Sequence, residues 1–396
     1  DMTVRTDAKT RFTAEGLALE SSKQYFPQEV CGIVNGSAFT VEIRLGAFAS
    51  VGDAYNTFMN SDNDNFALFR RNSNNVLEFK WAAVGAGQRP TVENGLSVLQ
   101  DALVSITYEV GGEVVLYING TRAAARDCTA AMGADNLFIG HVGRKAFRTT
   151  YRSLRFYRRA LSAEEIRRNA AVDGYVDVKE LYVQDRLVSL YSGIRNTRAG
   201  YNADAAVWED LAGQQDITLN LNDKNYFTRE GLRLNSQKHS FPQTIVNTVN
   251  GQAFTVEMSL GALTTLGHSF NTFINSTNDN FSLFRRIEND VLEFKYAGNG
   301  RGERPQVKDG LELFTDSLIT VTYEVGGETV IYADGMEIAR TASPRPMGAD
   351  NLFFGHDKQT HNYSTLFRDL RFYNRALSAE EVLANAKADL VVDYDY

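Results

Sequence analysis

Val104-Ser105-Ile106-Thr107-Tyr108-Glu109-Val110-Gly111-Gly112-Glu113-Val114-Val115-Leu116-Tyr117-Ile118-Asn119-Gly120 decides the fold class. Its apolar residues recur every second position and are mostly β-branched or aromatic, the pattern of a half-buried strand. Gly111-Gly112 supplies the positive φ that a tight two-residue turn needs, so the stretch predicts a hairpin. Asn119-Gly120 marks the next turn. Working outward, Phe39-Thr40-Val41-Glu42-Ile43-Arg44-Leu45 and Val76-Leu77-Glu78-Phe79-Lys80-Trp81 keep the same period of two. Many short strands separated by turn signals predict a sandwich of two antiparallel sheets.

The same signals return further along the chain. Ala38-Phe39-Thr40-Val41-Glu42 recurs as Ala253 to Glu257, Val76-Leu77-Glu78-Phe79-Lys80 as Val291 to Lys295, and Met132-Gly133-Ala134-Asp135-Asn136-Leu137-Phe138 as Met347 to Phe353, each displaced by 215 residues. Arg159-Ala160-Leu161-Ser162-Ala163-Glu164-Glu165 recurs at Arg375 to Glu381, displaced by 216. A period this long is a whole domain rather than a solenoid unit. Residues 1–173 are read as the first copy, 174–186 as a linker and 187–396 as the second copy. Asp1 aligns with Asp216, so the prelude of the second copy, Leu187 to Tyr191 and Trp208-Glu209-Asp210-Leu211-Ala212-Gly213, has no partner ahead of the first. The first copy is therefore expected to lack its N-terminal strand or to borrow one from another chain. Ser162-Ala163-Glu164-Glu165 and Ser378 to Glu381 are capping boxes, each opening one short helix near the end of its copy.

Composition narrows the function. Among 396 residues, 41 Lys+Arg stand against 49 Asp+Glu, a formal charge of −8. That balance argues against a nucleic-acid partner, which calls for a basic face. No apolar run reaches the ~20 residues of a membrane span. The first residues carry no basic n-region and no apolar h-region, so no signal peptide is expected within this chain. The two cysteines, Cys31 and Cys128, have Val246 and Ser343 as their counterparts; a disulfide and two separate thiols both fit, and free thiols are preferred.

Each copy resembles the laminin-G-like, concanavalin-A-like jelly-roll domains of bacterial and phage surface proteins. The resemblance rests on an ordered set of motifs: Phe-Thr-Val-Glu, then Ile106-Thr107-Tyr108-Glu109 with Val115 to Gly120, then Leu137-Phe138-Ile139-Gly140, and last Leu154-Arg155-Phe156-Tyr157-Arg158-Arg159-Ala160-Leu161-Ser162-Ala163-Glu164-Glu165-Ile166. Family members commonly carry Trp before the Thr-Tyr strand, where this chain reads Leu99 to Leu103; that departure reads as a packing change. The resemblance implies an all-β fold of two tandem concanavalin-A-like jelly rolls, each with one short C-terminal helix. It implies no single function, since the architecture carries lectins, hydrolases and structural modules.

The enzymes of this architecture resemble laminarinase-type glycosidases, whose Glu-x-Asp-x-Glu strand supplies nucleophile and acid/base. The pentad is missing here. Glu78 and Lys80 share one strand face, as do Glu293 and Lys295, and read as surface ion pairs. Catalysis is not expected. For sugar recognition the candidates are Tyr55, Asn56, Asn60, Arg70, Arg71, Trp81, Arg89 and His141, with Phe270, Asn271, Asn275, Arg285, Arg286, Tyr296, Arg304 and His356 as their counterparts. Core packing is the competing reading for the aromatics, and hydrogen-bonded structural roles for the histidines. Adjacent arginines in a strand point to opposite faces, so one of each pair is free to meet a carboxylate or an acidic sugar. Asp62, Asp64 and Asp279 lie in oxygen-rich turns that fit either a calcium rim or a plain polar loop. The expectation is a non-catalytic carbohydrate-binding and adhesion protein of a bacterial surface or phage particle, extracellular, with a surface polysaccharide as partner. The alternatives are an assembly subunit bound to other protein subunits by strand exchange, and a glycoside hydrolase.

Overall fold

The computed structural model describes residues 2–82 and 84–389; Asp1 and the last residues of the second predicted domain lie outside that range. The described residues divide into two compact units, 2–176 and 177–389. Each is a sandwich of antiparallel sheets.

In the first unit the large sheet runs Thr10–Thr13, Gly16–Glu20, Phe147–Tyr157, Ala38–Leu45, Leu103–Glu109, Glu113–Ile118, Thr121–Asp127, with Ala49–Ser50 also on Phe147–Tyr157. The six-stranded sheet runs Gln24–Tyr25, Phe138–Ile139, Tyr55–Asn60, Phe66–Arg71, Val76–Trp81, Thr91–Val92. The second unit repeats both orders. Between the sheets lies an aromatic core: Phe39 stacks on Tyr108 at 4.7 Å and Phe66 meets Phe79 edge-on at 5.0 Å, with Phe254–Tyr323 and Phe281–Phe294 as their equivalents. The period of two in Ala38–Leu45 puts Phe39, Val41 and Ile43 in this core.

Glu42 faces the other way, beneath the helix Ala163–Val172. The capping box forms: Ser162 Oγ accepts from the Glu165 N–H at 3.2 Å, and Glu165 accepts from the Ser162 N–H at 2.8 Å. Under the helix Glu42 accepts from Arg155 Nε at 2.7 Å and from Asn169 at 2.9 Å, while Arg155 also reaches Asp173 at 2.5 Å. The second unit builds the same cluster from Glu257, Arg371, Asn385 and Asp389. There the Tyr182 ring lies 4.0 Å from the Arg371 guanidinium and its hydroxyl bonds Asp389 at 2.8 Å.

The stretch 174–186, read as a linker, is thus corrected: from Val178 onward it is packed structure. Val178 and Tyr182 are buried, and the Val183 N–H donates to Asn385. From there Leu187–Ser192 pairs with the Asp369–Tyr373 part of strand Tyr363–Tyr373. Among the described residues no strand lies on the side of the equivalent Ser153–Phe156 opposite to Ala38–Leu45. Leu370 and Phe372 are fully buried, whereas Leu154 and Phe156 are only partly so.

Two further readings need adjustment. Each unit has an additional helix near its start, Gln28–Val34 and Gln243–Val249, with Pro27 and Pro242 at the N-cap and no side-chain cap. Lacking a cap residue, they leave no start signal in the sequence. The hairpin turn is also shifted by one: Gly112 N–H bonds Glu109 C=O at 3.0 Å, so Val110-Gly111 are its central residues and Gly111 alone takes φ +84°. Both cysteines are buried thiols.

Candidate functional site

The outer face of each six-stranded sheet carries a shallow basin, and the two basins use equivalent positions. The first measures ≈ 190 Å³ and is lined by Tyr55, Thr57, Asn60, Phe69, Arg71, Lys80, Arg89 and Lys145, with Asp64 and Ala67 at its edge. The second measures ≈ 150 Å³ and is lined by Phe270, Thr272, Asn275, Phe284, Arg286, Lys295, Arg304 and His361, with Asp279 and Ser282.

Strand geometry explains the lining. In Phe66–Arg71 the alternation sends Phe66, Leu68 and Arg70 inward and Ala67, Phe69 and Arg71 outward. Val76–Trp81 turns Glu78 and Lys80 out and Leu77, Phe79 and Trp81 in. Tyr55–Asn60 breaks its own period. A bulge between Thr57 and Met59 lets Phe58 and Met59 both enter the core and returns Asn60 to the outer face.

The basin floor is aromatic. Tyr55 and Phe69 meet edge to face at 5.5 Å, and Phe270 and Phe284 at 5.4 Å. Cations ring it: the Arg71 guanidinium stands 5.6 Å over Tyr55, and Arg286 stands 5.0 Å over Phe270. A buried carboxylate holds them in place. Glu78 accepts from Arg71 at 2.8 and 3.2 Å and from Arg89 at 3.1 Å. Glu293 accepts from Arg286 at 2.8 Å and from Arg304 at 3.1 Å, with Arg301 at 3.9 Å. The hydrogen bond to Glu78 raises the Arg71 pKa above its ordinary value despite partial burial. Lys80 binds Asp64 at 2.7 Å, and Lys295 binds Asp279. Burial would push Asp64 up, but the Lys80 hydrogen bond and the Lys80 and Lys145 charges hold it below the usual carboxylate range. The expected Glu78–Lys80 and Glu293–Lys295 pairs are therefore corrected: each glutamate goes to two arginines, and each lysine to a loop aspartate.

Of the residues singled out in the sequence, Arg71, Arg89, Arg286 and Arg304 come together in the basins, with Tyr55, Asn60, Phe270 and Asn275. Trp81, 1% exposed, belongs to the core, so its reading as a sugar platform is corrected; Tyr296 is also buried and lies outside the basin, where it lines a separate cavity with Asn299, Thr341 and Arg345. Asn56 and Arg70 form a buried network with Asn72 and Asn75 that braces neighbouring turns, and Asn271, Arg285 and Asp290 do likewise. His141 Nδ1 accepts from the Val142 N–H. His356 is buried and stacks at 4.7 Å on His361, and burial pulls it down to about 4. Lys145, Phe69, Phe284 and His361 were absent from the sequence reading. Lys145 and His361 reach the rim from loops some ninety residues away, while Phe69 and Phe284 share an alternation face with the arginines already chosen.

The oxygen-rich loops do not fit a calcium ion. Asp62 is taken by Lys23 at 2.7 Å and by Asn136 at 2.8 Å, and Asp64 and Asp279 are taken by lysines. Asn63 and Asn65 both donate to Gly133 C=O at 2.8 Å, and Asp135 accepts from the Asn63 N–H; Asn278, Asn280, Gly348 and Asp350 repeat this clasp. Among the described residues no three acidic, histidine or cysteine side chains converge as a metal site. Nor is any helix there long and apolar enough to cross a membrane.

The family model Laminin G 3, described as "Concanavalin A-like lectin/glucanases superfamily", matches residues 21–167 and 235–383. No curated protein matches the chain. Among solved structures the chain is similar to the binding domain of botulinum neurotoxin DC in complex with rat synaptotagmin II, at 16% identity over 52% of each chain with a TM-score of 0.37. It is also similar to the botulinum neurotoxin serotype D ligand-binding domain in complex with N-acetylneuraminic acid, at 15% identity over 54% of this chain and 53% of that one, TM-score 0.40. It thus spans about half the length of each, at 52% and 53%.

Proposed function

The chain belongs to the concanavalin A-like lectin/glucanase superfamily, and from that premise we propose that it is a non-catalytic carbohydrate-binding protein with one site in each basin. The observation that carries the reading is the recurrence, on both six-stranded sheets, of an aromatic floor ringed by fixed hydrogen-bonding side chains. An apolar floor suits the C–H face of a sugar ring, and convergent polar groups set its orientation. The reading extends to display outside a cell, on a surface or particle, where two sites engaging one polysaccharide gain avidity. That extension rests on the lectin-type family alone.

The non-catalytic part has its own support. Hydrolysis by two carboxyl groups needs one to attack, or to activate water, and one to give up a proton. Both oxygens of Glu78 are held by guanidinium groups, and Asp64, at the edge of the same basin, is held by Lys80.

Titration of the full chain with oligosaccharides found on a glycan array tests the reading. Phe69→Ala with Phe284→Ala is expected to weaken binding at least tenfold while the far-ultraviolet circular dichroism stays unchanged. An array without hits, or variants that bind as well as the parent, would overturn it. A second reading, an assembly subunit completed by strand exchange, is favoured by the uncovered edge Ser153–Phe156; its mark is protection of that edge in the purified protein.

A further inference from the structure

We propose that the two basins select anionic saccharides, sugars bearing carboxylate or sulfate groups, over neutral ones; the proposal rests on the carbohydrate-binding reading and names its ligand class.

The first observation is charge. The chain as a whole is acidic, at −8. Yet in the first basin four cations, Arg71, Lys80, Arg89 and Lys145, stand against two carboxylates, Asp64 and Glu78, an excess of two. In the second, Arg286, Lys295 and Arg304 stand against Asp279 and Glu293, an excess of one, while Arg301 adds a cation and Glu303 a carboxylate at the margin. The excess is reached by different residues. Lys145 is matched by His361, which burial and then Lys358 hold toward the neutral form, and Arg301 is matched by Ala86. The sign of the potential recurs although the side chains that carry it do not. Within each basin Lys80 and Lys295 are neutralised by a loop aspartate. The surplus therefore lies on guanidinium groups sharing one carboxylate and, in the first basin, on Lys145. Guanidinium is the group that pairs two N–H donors with a carboxylate or sulfate.

The second observation is an acceptor. Asn60 is 3% exposed and lines the first basin, and its side-chain carbonyl oxygen has no hydrogen-bond partner. A buried acceptor left unpaired is costly, so a ligand that supplies a donor is favoured there. A bare anion such as sulfate brings no donor for it, whereas a sugar hydroxyl does. In the first basin an anionic group against the arginines and a hydroxyl against Asn60 together describe an acidic sugar; in the second, Asn275 Oδ1 already accepts from the Ser276 N–H at 3.0 Å, so there the arginines alone carry the inference.

The mechanism needs no covalent step. Glu78 and Glu293 are positioning residues: they fix the guanidinium groups over the aromatic floor, so little side-chain freedom is lost when the ligand arrives.

The test is calorimetric titration of the full chain with three probes of equal length: a galacturonic acid trisaccharide, its neutral galactose counterpart, and a sulfated galactose trisaccharide. At least one acidic probe is expected to bind tenfold or more tightly than the neutral one, with affinity falling as salt rises. Whichever acidic probe is tighter names the group. Arg71→Gln with Arg286→Gln should remove the preference. Lys145→Ala with Arg301→Ala leaves the Arg71–Glu78 and Arg286–Glu293 pairs intact, and should weaken acidic binding severalfold and flatten its salt dependence. Equal binding of neutral and acidic probes overturns the anionic class and leaves the carbohydrate reading standing. Binding of none overturns both. An acidic preference that survives both double variants overturns the basins as its seat.

Discussion

Arg155 and Arg371 occupy one place in two copies and differ in one respect: 13% of the first side chain is exposed and 1% of the second. Each holds two carboxylates beneath the closing helix. Removing the cation from a buried pair leaves an uncompensated charge, at a cost of about 3–5 kcal/mol. Arg371→Met is therefore expected to lower the stability of its unit by about that much. Arg155→Met should cost clearly less, because water reaches the guanidinium position and Asp173 more easily. Urea unfolding of the two variants checks the order, and equal losses would contradict it. At this scale the candidate site was partly legible. Arg71 and Arg89 stood out as residue types, whereas Trp81 was misread as a platform although its parity with Leu77 and Phe79 puts it on the core side of the strand. Nothing local revealed that Lys145 joins Tyr55, since a turn far along the chain delivers it, and the bulge that turns Asn60 outward leaves no composition signal.

Among the elements, the hairpins, the long strands and the capped helices could be read directly, because period two and Ser-x-x-Glu are local statements. The helices after Pro27 and Pro242 could not, since packing and not capping holds them. The informative element is Leu187–Ser192. It covers Asp369–Tyr373 in the second unit, while Ser153–Phe156 has no such neighbour among the described residues. Amides of Ser153–Phe156 are expected to exchange with solvent at least tenfold faster than those of Asp369–Phe372, read at the positions whose N–H in the second unit points toward Leu187–Ser192. Equal protection would mean that the edge is covered, as the assembly reading requires.

For the whole molecule, the two units share an architecture but are expected to differ in their response to acid. Burial holds His239 at about 4, and burial with His361 beside it holds His356 at about 4. Both belong to the second unit, where Gln24 is the first unit's counterpart of His239. The unfolded imidazole titrates near ~6.5. Between these values the unfolded chain takes up protons that the folded one refuses, so stability is full above pH ~6.5 and is lost as pH falls toward 4, at up to about 1.4 kcal/mol per pH unit for each histidine. The first unit should respond less. The two tryptophans, Trp81 and Trp208, report one unit each, so denaturation of Trp81→Phe and Trp208→Phe variants at pH 7.5, 6 and 5 separates the responses. Parallel shifts in the two would refute the assignment.

Tyr182 also settles where this protein can be cut. It is the lid on Arg371, and it lies upstream of the first strand of its jelly roll. A fragment starting at Leu187 would look complete by strand count yet open the Arg371 cluster to solvent, so dissection of the halves belongs at residue 177.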